Sequence, residues 1–239
     1  MAFSFSDEQI AFRDVVRRFM DDRSPVTEVR RLMDSESGFD EDVWRQACGE
    51  LGLAGIGLDE RFGGAGFGLV ELGIVAEELG RALYCGPYFS SVVLGARSIL
   101  NVGTDAEREA MLPALAAGSR RATLAFHEPL GSWNLDDIQC SCVDVDGELQ
   151  LSGSKTLVVD GLSAEMLLVV VREQDGCGLS LVCVGADARG LERNATTPLD
   201  PTRKLATVSF NATPAIRVGP AGGAAGGIRQ TLREACVVL

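Results

Sequence analysis

The spacing of apolar residues changes at Arg121, and this change limits the folds open to the chain. Before Arg121, apolar side chains recur every three or four positions between charged ones, which is the period of an amphipathic helix. After it, short runs rich in Val and Leu alternate with Gly, Asp and Asn, which is typical of strands and turns. The sequence therefore predicts an α+β fold, with an all-helical N-terminal domain followed by a small antiparallel β-barrel or β-sandwich domain.

The helical part carries recognisable start and stop signals. Ser6 and Gln9 have the spacing of a capping box, so we expect a helix of roughly four turns to begin there. Thr104 is a suitable N-cap for a later helix, and Gly118 is a suitable stop. The other helices expected before residue 118 cover residues 40–51, 69–83, 87–100 and 105–117.

Residues 51–68, LGLAGIGLDERFGGAGFG, contain seven glycines. Glycine at this density suits a buried, sharply turning segment whose backbone lies close against neighbouring helices. A phosphate-binding loop is the alternative. The segment lacks the Gly-Lys-Ser/Thr ending of a P-loop, however, and no predicted strand precedes it, as a dinucleotide-binding fingerprint requires. We therefore interpret these glycines as packing positions.

Seven short apolar runs follow Arg121, and we expect them to form strands: ATLAF, CSCVDV, ELQLSG, TLVVD, EMLLVVVRE, LSLVCVG and LATVSF. Asp146 and Gly147 lie between two of these runs, and this dipeptide is a strong signal for a two-residue hairpin turn. Cys140 and Cys142 are two residues apart in one run, so we expect both reduced thiols on the same face of the sheet.

Residues 220–239 have a third composition. Four glycines predict a flexible link, and an apolar helix is expected over 228–239. This helix has no C-cap at its last residue, so we expect it to be the start of a truncated C-terminal helical domain. The expected domains are an N-terminal helical domain (1–118), a middle β domain (119–219), and the link with the start of the C-terminal domain (220–239).

Charge and composition exclude several classes of function. The formal net charge is −12, so the protein's own field disfavours nucleic acid or an anionic membrane as a partner. No apolar run approaches the roughly 20 residues of a membrane span, and the N-terminus lacks the basic region of a signal peptide, so we expect a cytoplasmic protein. With one histidine and no Cys-x-x-Cys pair, we expect no metal site.

The stretch 122–164 is where we expect a functional site, because the helical pattern gives way to strands there. It contains the loop EPLGS at 128–132 and the tripeptide GSK at 153–155. His127 and Glu128 are adjacent on an extended chain and so face opposite sides. We interpret His127 as a pocket-lining or structural residue, and Glu128 as an acceptor for loop N–H groups. Lys155 has two interpretations, a charge near a ligand or a surface ion pair.

With these motifs the chain resembles the acyl-CoA dehydrogenase family over its whole length. Residues 51–68 are similar to the family's Leu-Gly-x-x-Gly-x-x-x-Pro-x-x-x-Gly-Gly-x-Gly segment. Residues 125–132, AFHEPLGS, are similar to its Thr-Glu-Pro-x-x-Gly-Ser-Asp loop, and GSK precedes a strand as it does in the family. Three matches in the same order are stronger evidence than any one of them.

The resemblance implies FAD-dependent α,β-dehydrogenation of an acyl-CoA, in which a glutamate removes the α-proton while hydride passes from the β-carbon to the flavin. It also implies electron-transfer flavoprotein as electron acceptor, a homo- or hetero-oligomer, and a role in fatty acid or steroid side-chain degradation. The family's glutamate is expected beyond Leu239. No catalytic residue is therefore assigned, and the isolated chain is expected to be inactive.

By position, the resemblance implies that six residues line FAD: Phe126, His127, Ser132, Leu157, Val158 and Val159. Ser132 and Arg203 are the implied contacts with acyl-CoA, since a guanidinium suits a phosphate of the CoA. A surface turn is the alternative interpretation of Arg203.

Four residues of these motifs differ from the usual pattern of the family. His127 and Trp133 stand where threonine and aspartate are usual, and Leu157 and Val159 where tryptophan and threonine or serine are usual. An indole over the flavin edge and a hydroxyl near flavin N5 are therefore absent. The alternative function is a non-catalytic, FAD-free partner subunit of a heteromeric acyl-CoA dehydrogenase. A flavin monooxygenase relative with the same fold is a third reading.

Overall fold

The computed structural model describes residues 4–174 and 176–239, so residues 1–3 of the expected helical domain lie outside the described residues. The helices are α1 (Asp7–Arg23), α2 (Val26–Met33), α3 (Glu41–Gly49), α4 (Leu69–Arg81), α5 (Arg97–Val102), α6 (Asp105–Ala116) and α7 (Ala225–Val238). A π-helical segment, Phe89–Ala96, leads directly into α5. Among the helices of the described residues, none has the length and apolar character needed to cross a membrane.

The local helix signals are confirmed. Ser6 Oγ accepts from the N–H of Gln9 while the Gln9 side chain accepts from the N–H of Ser6, so a capping box begins α1. Thr104 forms the same arrangement at the start of α6. The helix α2 is missing from the sequence predictions because its 8 residues are too few to display a clear period.

The strands are β1 (Ala122–Ala125), β2 (Ser141–Val145), β3 (Glu148–Val159), β4 (Met166–Glu173), β5 (Leu179–Gly185), β6 (Leu191–Thr196) and β7 (Leu205–Val218). One edge of β4 pairs with β5, and the other edge pairs first with β1 and then with β2. Since β2 pairs with β3, β3 with β7, and β7 with β5, the sheet closes into a barrel. β6 pairs with β7 beside this ring.

The predicted antiparallel sheet is only partly correct. β1 and β2 both run parallel to β4, whereas the other pairs of strands are antiparallel. The sheet is also a closed barrel, so the sandwich alternative is wrong. An apolar run indicates that a strand is buried, but it carries no information about the strand's direction or neighbours.

Two of the predicted strands form one long strand. The runs ELQLSG and TLVVD are both part of β3, whose register against β7 shifts between Leu151 and Gly153 and again between Lys155 and Val158. These shifts are bulges, which bend a strand without ending it. The hairpin at Asp146 and Gly147 is confirmed, with both residues at positive φ between β2 and β3.

Two hydrophobic clusters account for the continuous apolar run of β4. Leu168 and Val170 face a cluster that joins the helices to the outside of the barrel. Leu167 and Val169 face the barrel interior, which also contains Cys140 and Cys142, as predicted for two thiols on one face. Burial on both faces replaces the usual alternation of apolar and polar residues.

Glycines let the backbone approach where a side chain would collide. A Cβ on Gly64 would lie 2.1 Å from the carbonyl oxygen of Leu58, which confirms the packing interpretation of residues 51–68. The glycines expected to form a flexible link are instead partly helical, because α7 begins at Ala225. A Cβ on Gly227 would lie 2.5 Å from the carbonyl oxygen of Asn101, so this glycine brings α7 close to α5.

A substitution within the glycine-rich segment tests this packing. We expect Gly64→Ala to lower the free energy of unfolding by about 3 kcal/mol, because the added methyl group meets main-chain atoms that cannot rotate away. Gly57→Ala is the matched control, since the nearest atom to its Cβ is 3.8 Å away. Urea denaturation measures both variants. Equal midpoints would show that the segment is loosely packed.

Candidate functional site

A buried ion pair fixes the loop between β1 and β2. The Lys155 side chain is 0% exposed, and its Nζ lies 2.7 Å from Glu128 Oε1 and 3.3 Å from the carbonyl oxygen of Phe126. Glu128 also accepts from the N–H groups of Gln139 and Cys140, both at 2.9 Å. The prediction that Glu128 accepts hydrogen bonds from the loop is confirmed.

The electrostatics of this pair favour the ionised carboxylate. Burial opposes ionisation of Glu128, but the hydrogen bond and charge of Lys155, together with the two N–H groups, outweigh it and lower the pKa of Glu128. The surface ion pair considered for Lys155 is therefore wrong, because the pair lies beneath the loop. The ammonium group of Lys155 binds Glu128 and so anchors the loop to β3.

β3 also holds the loop through its main chain. The N–H of Thr156 donates to the carbonyl oxygen of His127 at 2.9 Å. This bond ties the segment after β1 to β3. Glu128 is directed to Lys155, and His127 is in contact with the aromatic rings of the loop, so the predicted separation of His127 from Glu128 is confirmed.

Three rings cluster on the outer side of the loop, and we call Phe126, His127 and Trp133 the aromatic triad. The ring centroid of Trp133 lies 5.5 Å from that of Phe126 and 5.5 Å from that of His127. Trp133 is nevertheless 72% exposed. His127 Nδ1 is buried and has no hydrogen-bond partner within the described part of the chain.

Ser132 is engaged within its own loop. Its Oγ donates to Asp137 Oδ2 at 2.5 Å and accepts from the N–H of Asn134 at 3.1 Å. These bonds shape a short turn, Leu135–Asp137, before β2. A serine hydroxyl has a single donor, so a hydrogen bond from Ser132 to a ligand oxygen requires the bond to Asp137 to exchange.

The three residues after the GSK tripeptide do not share one surface. Leu157 lies in a bulge of β3 with φ 53°, and its side chain is exposed. The side chain of Val158 is buried inside the barrel, so only its main chain is available to a ligand, and its place in cofactor binding stays a prediction. Val159 is half-buried at the end of β3, where its carbonyl oxygen accepts from Thr123 Oγ1 at 2.6 Å. Bulge geometry, which the sequence does not display, decides which side each residue faces.

Arg203 lies between the barrel and the helices. It ends a turn in which its N–H donates to the carbonyl oxygen of Asp200 at 3.2 Å, so the turn considered for it is present. Its Nη1 donates to the carbonyl oxygen of Tyr84 at 2.9 Å. It lines a small cavity of about 150 Å³ together with Tyr88 and Phe89. Lys204, the next residue, donates to the carbonyl oxygen of Met33 at 2.7 Å. Both cations therefore bind carbonyl groups near the ends of helices.

A second polar contact between helices and barrel is absent from the sequence predictions. Ser90, in the π-helical segment, donates to Asp160 Oδ2 at 2.6 Å, and Asp160 is almost fully buried just after β3. Ser91 Oγ accepts from the N–H of Ala122 at 3.1 Å. No sequence signal distinguishes these serines from others on an apolar helix.

The described residues contain no group of three or more His, Cys, Asp and Glu side chains placed to hold a metal ion. The aromatic triad instead has the character of a surface for a planar organic group. It combines an exposed indole, two neighbouring rings and one unpartnered buried nitrogen on a loop that an ion pair holds in place.

Comparison with known proteins relates the chain to one enzyme family. A family model described as "Acyl-CoA dehydrogenase, N-terminal domain" matches residues 6–119. The mitochondrial isovaleryl-CoA dehydrogenase of Arabidopsis thaliana is 33% identical over 184 residues, which are 73% of this chain and 43% of that protein. The acyl-CoA dehydrogenase IpdE2 of Mycolicibacterium smegmatis is 34% identical over 122 residues, which are 51% of this chain and 38% of that protein.

Solved structures of other proteins also resemble this chain. A variant of the Tcur3481–Tcur3483 steroid ACAD has a TM-score of 0.84 and 32% identity, covering 97% of this chain and 62% of that one. An acyl-CoA dehydrogenase from Geobacillus kaustophilus has a TM-score of 0.87 at 19% identity, covering 100% of this chain and 65% of that one, and so shows the fold alone. The chain spans about two fifths of the length of the first curated relatives.

The buried ion pair gives a first prediction for this site. We expect Lys155→Met and Glu128→Gln each to lower the free energy of unfolding by about 3–5 kcal/mol, because each leaves a buried partner uncompensated. The double variant should lose less than the sum of the two. Removing an exposed cation in Arg45→Met, which breaks the pair with Asp42, should cost at most about 1 kcal/mol. If Lys155→Met and Glu128→Gln lowered the free energy of unfolding no more than Arg45→Met does, the ion pair would not anchor the loop.

Asp160 gives a second prediction, which concerns pH. Burial raises the pKa of Asp160 from 3.8 to about 6, against the opposing effects of Ser90 and Arg203. The folded protein therefore binds this proton more tightly than the unfolded chain, so ionisation of Asp160 destabilises the fold as pH rises from about 4 to above 6. The cost at pH 8 is about 3 kcal/mol.

Asp160→Asn removes that cost while keeping a residue that tolerates positive φ. We expect the variant to have a higher free energy of unfolding than the native chain at pH 8. At pH 5 this difference should be about half as large. Urea denaturation at both pH values measures the difference. Asp146→Asn is the control, because Asp146 has the same φ of 53° but lies in an exposed turn. If the two proteins differed in free energy of unfolding by the same amount at both pH values, the raised pKa of Asp160 would be contradicted.

Proposed function

This chain belongs to the acyl-CoA dehydrogenase family, and on that premise we propose that the whole protein carries out FAD-dependent α,β-dehydrogenation of an acyl-CoA thioester. The observation that carries the proposal is the aromatic triad, whose exposed indole and unpartnered His127 Nδ1 suit a planar ring with polar edges. The ion pair beneath it holds this surface in place before any ligand binds.

The residues present fit the ring of FAD. Phe126 and His127 would face the ring from the loop, and Leu157 and Val159 would approach it from β3, while Ser132 would contact the cofactor or the CoA arm after exchange of its bond to Asp137. When bound, the flavin supplies the hydride acceptor, and the thioester makes the α-proton acidic enough to be removed by a carboxylate. The residues of this chain bind and orient these groups, and none of them is proposed as the base.

The cavity beside Arg203 suits the acyl group better than a phosphate. It is lined mainly by aromatic and aliphatic side chains, among them Tyr88, Phe89 and Val93, and the guanidinium is already bonded to Tyr84. We therefore propose that Arg203 closes one wall of the acyl site. The acyl chain itself, whether a fatty acid, a branched acid or a steroid side chain, is not assigned.

The organisation of the whole protein is part of the proposal. Its domains are proposed as residues 1–118, 119–219 and 220–239, and its electron acceptor as electron-transfer flavoprotein, in a homo- or hetero-oligomer of cytoplasmic location. The first two domains share one hydrophobic cluster, so we expect them to fold together.

A second function is favoured by two observations. The donor of Ser132 is engaged with Asp137, and Leu157 offers neither an aromatic ring nor a hydroxyl. Both features suit a FAD-free partner subunit that stabilises a heteromeric dehydrogenase. This alternative predicts a folded chain that does not retain flavin.

A visible absorption spectrum distinguishes the two functions. The purified chain is incubated with excess FAD, desalted, and compared with an untreated sample. We expect flavin absorbance to remain with the protein, and anaerobic addition of isovaleryl-CoA or palmitoyl-CoA to bleach it when a base is supplied by the complete assembly. A chain that is folded by circular dichroism and retains no flavin would contradict the dehydrogenase proposal and support the partner subunit.

A further inference from the structure

We propose that Asp160 is a positioning residue for the acyl site, because it connects two parts of the wall of the cavity beside Arg203. Its side chain binds the π-helical segment, and its main chain binds the residue that follows Arg203. This inference rests on the proposed function and deepens it, since it assigns control over the shape of the acyl site to a residue that does not itself line the cavity.

The first connection runs through the side chain of Asp160. Its Oδ2 lies 2.6 Å from Ser90 Oγ, and both side chains are buried. Ser90 belongs to the π-helical segment, whose residues Phe89 and Val93 line the cavity. Turns of π-helix are rare and occur frequently at functional sites. The bond to Ser90 therefore holds this part of the wall against the end of β3.

The second connection runs through the main chain. The N–H of Asp160 donates to the carbonyl oxygen of Lys204 at 2.8 Å. Lys204 directly follows Arg203, whose side chain lines the cavity. Asp160 has φ 53°, in the left-handed region, which aspartate adopts more readily than most residues. One residue thus binds both the helical wall and the segment that carries Arg203.

The hydroxyl group of Ser90 makes the first connection depend on a proton. Ser90 Oγ lies within hydrogen-bond distance of two acceptors, Asp160 Oδ2 and, at 3.1 Å, the carbonyl oxygen of Pro87. A serine hydroxyl has one hydrogen, so it cannot donate to both at full strength. A neutral Asp160 supplies a second hydrogen, because its own O–H donates to Ser90 while Ser90 donates to Pro87. The neutral form therefore makes one hydrogen bond more than the carboxylate does.

The surroundings of Asp160 place its ionisation within an accessible pH range. Burial raises the pKa of Asp160 to about 6, against the hydrogen bond of Ser90 and the charge of Arg203. The other ionisable residues next to Asp160 or its turn are Tyr84, Cys85, Arg193 and Lys204. Burial raises the pKa of Tyr84 and of Cys85, so both stay neutral near pH 6, and the two cations stay charged. Asp160 is therefore the group of this set whose charge changes between pH 5 and pH 8.

Ionisation of Asp160 loosens the wall. Once a buried carboxyl with a raised pKa has lost its proton, any opening that hydrates the carboxylate becomes more favourable. The carboxylate also makes one hydrogen bond fewer than the neutral form. The cavity is therefore better formed at pH 5 than at pH 8. The affinity of a ligand falls with the fraction of molecules in which its cavity is formed.

Methyl resonances of the chain with isotopically labelled valine report on the wall, because Val93 lines the cavity. We expect the Val93 resonances of the native chain to shift with pH, with a midpoint near 6. In Asp160→Asn the side-chain amide donates to Ser90 as the neutral carboxyl does, so the wall should be held at every pH and Val93 should not titrate. This variant is the conservative replacement that keeps the acid form.

Two serine variants separate the connection from the charge. Ser90→Ala keeps the charge of Asp160 but removes the connection, so we expect the Val93 titration to be lost. Ser98→Ala is the matched control, because Ser98 is equally buried but donates to the carbonyl oxygen of Leu94 within its own helix. It should titrate as the native chain does. A Val93 titration that persists in Ser90→Ala would show that the charge acts through space, and would overturn the positioning role.

Benzene tests the consequence for binding, because an apolar cavity of about 150 Å³ can hold it. Folding is first checked by circular dichroism at both pH values, and binding is then followed through the same Val93 resonances. We expect the native chain to bind benzene about 2- to 13-fold more tightly at pH 5 than at pH 8, the factor that corresponds to one hydrogen bond. Asp160→Asn should bind benzene equally at both pH values.

The possible outcomes separate this inference from the proposed function, whose flavin part is tested by retention of FAD. A pH-dependent affinity in the native chain that is absent from Asp160→Asn supports the inference. Equal affinity of the native chain at both pH values overturns it and leaves the proposed function standing. A folded native chain that binds no benzene overturns the acyl site at this cavity, and the inference with it, but not the binding of FAD.

Discussion

The geometry of the site depends on one interaction, the ion pair between Glu128 and Lys155. A fully buried ammonium group is tolerated only where a charge and hydrogen bonds compensate it, and Glu128 supplies both while it also binds the N–H groups of Gln139 and Cys140. Three separate segments, the end of β1, the start of β2 and the middle of β3, are thereby held at one point. The loop that carries the aromatic triad is thereby tied to β3.

Close approach of helices to the barrel is the second requirement, and small residues meet it. A Cβ on Gly95 in the π-helical segment would lie 2.6 Å from Ala122 Cβ at the start of β1. Ser90 and Ser91, on the same segment, provide the polar contacts across this seam. Small side chains and hydroxyl groups therefore bring the helices to the strand from which the site loop emerges. The hydrophobic cluster that joins the helices to the outside of the barrel extends across this contact.

The sequence predicts those features whose causes are local. The capping box at Ser6 and the hairpin at Asp146 each depend on a few neighbouring residues, and the acceptor role of Glu128 depends on N–H groups of its own loop. All three are confirmed. The direction of β1 and the burial of Val158 depend on which strands meet and where a bulge falls. Lys155 illustrates the same limit, because a lysine in a strand is usually exposed and only its distant partner makes it a core residue.

The residues of the site loop that differ from the family pattern are not the ones that hold the loop in place. Glu128 and Lys155 match the motif and are buried. His127 and Trp133 differ from it and belong to the aromatic triad, and Leu157 differs from it and is exposed. Buried charges can change only together, because either one alone is uncompensated, but outward-facing side chains can change singly without loss of the fold. The loop thus keeps its frame while its outward-facing surface differs. The fold of this chain therefore follows from its family, but what its surface recognises must be argued from Trp133 and His127 themselves.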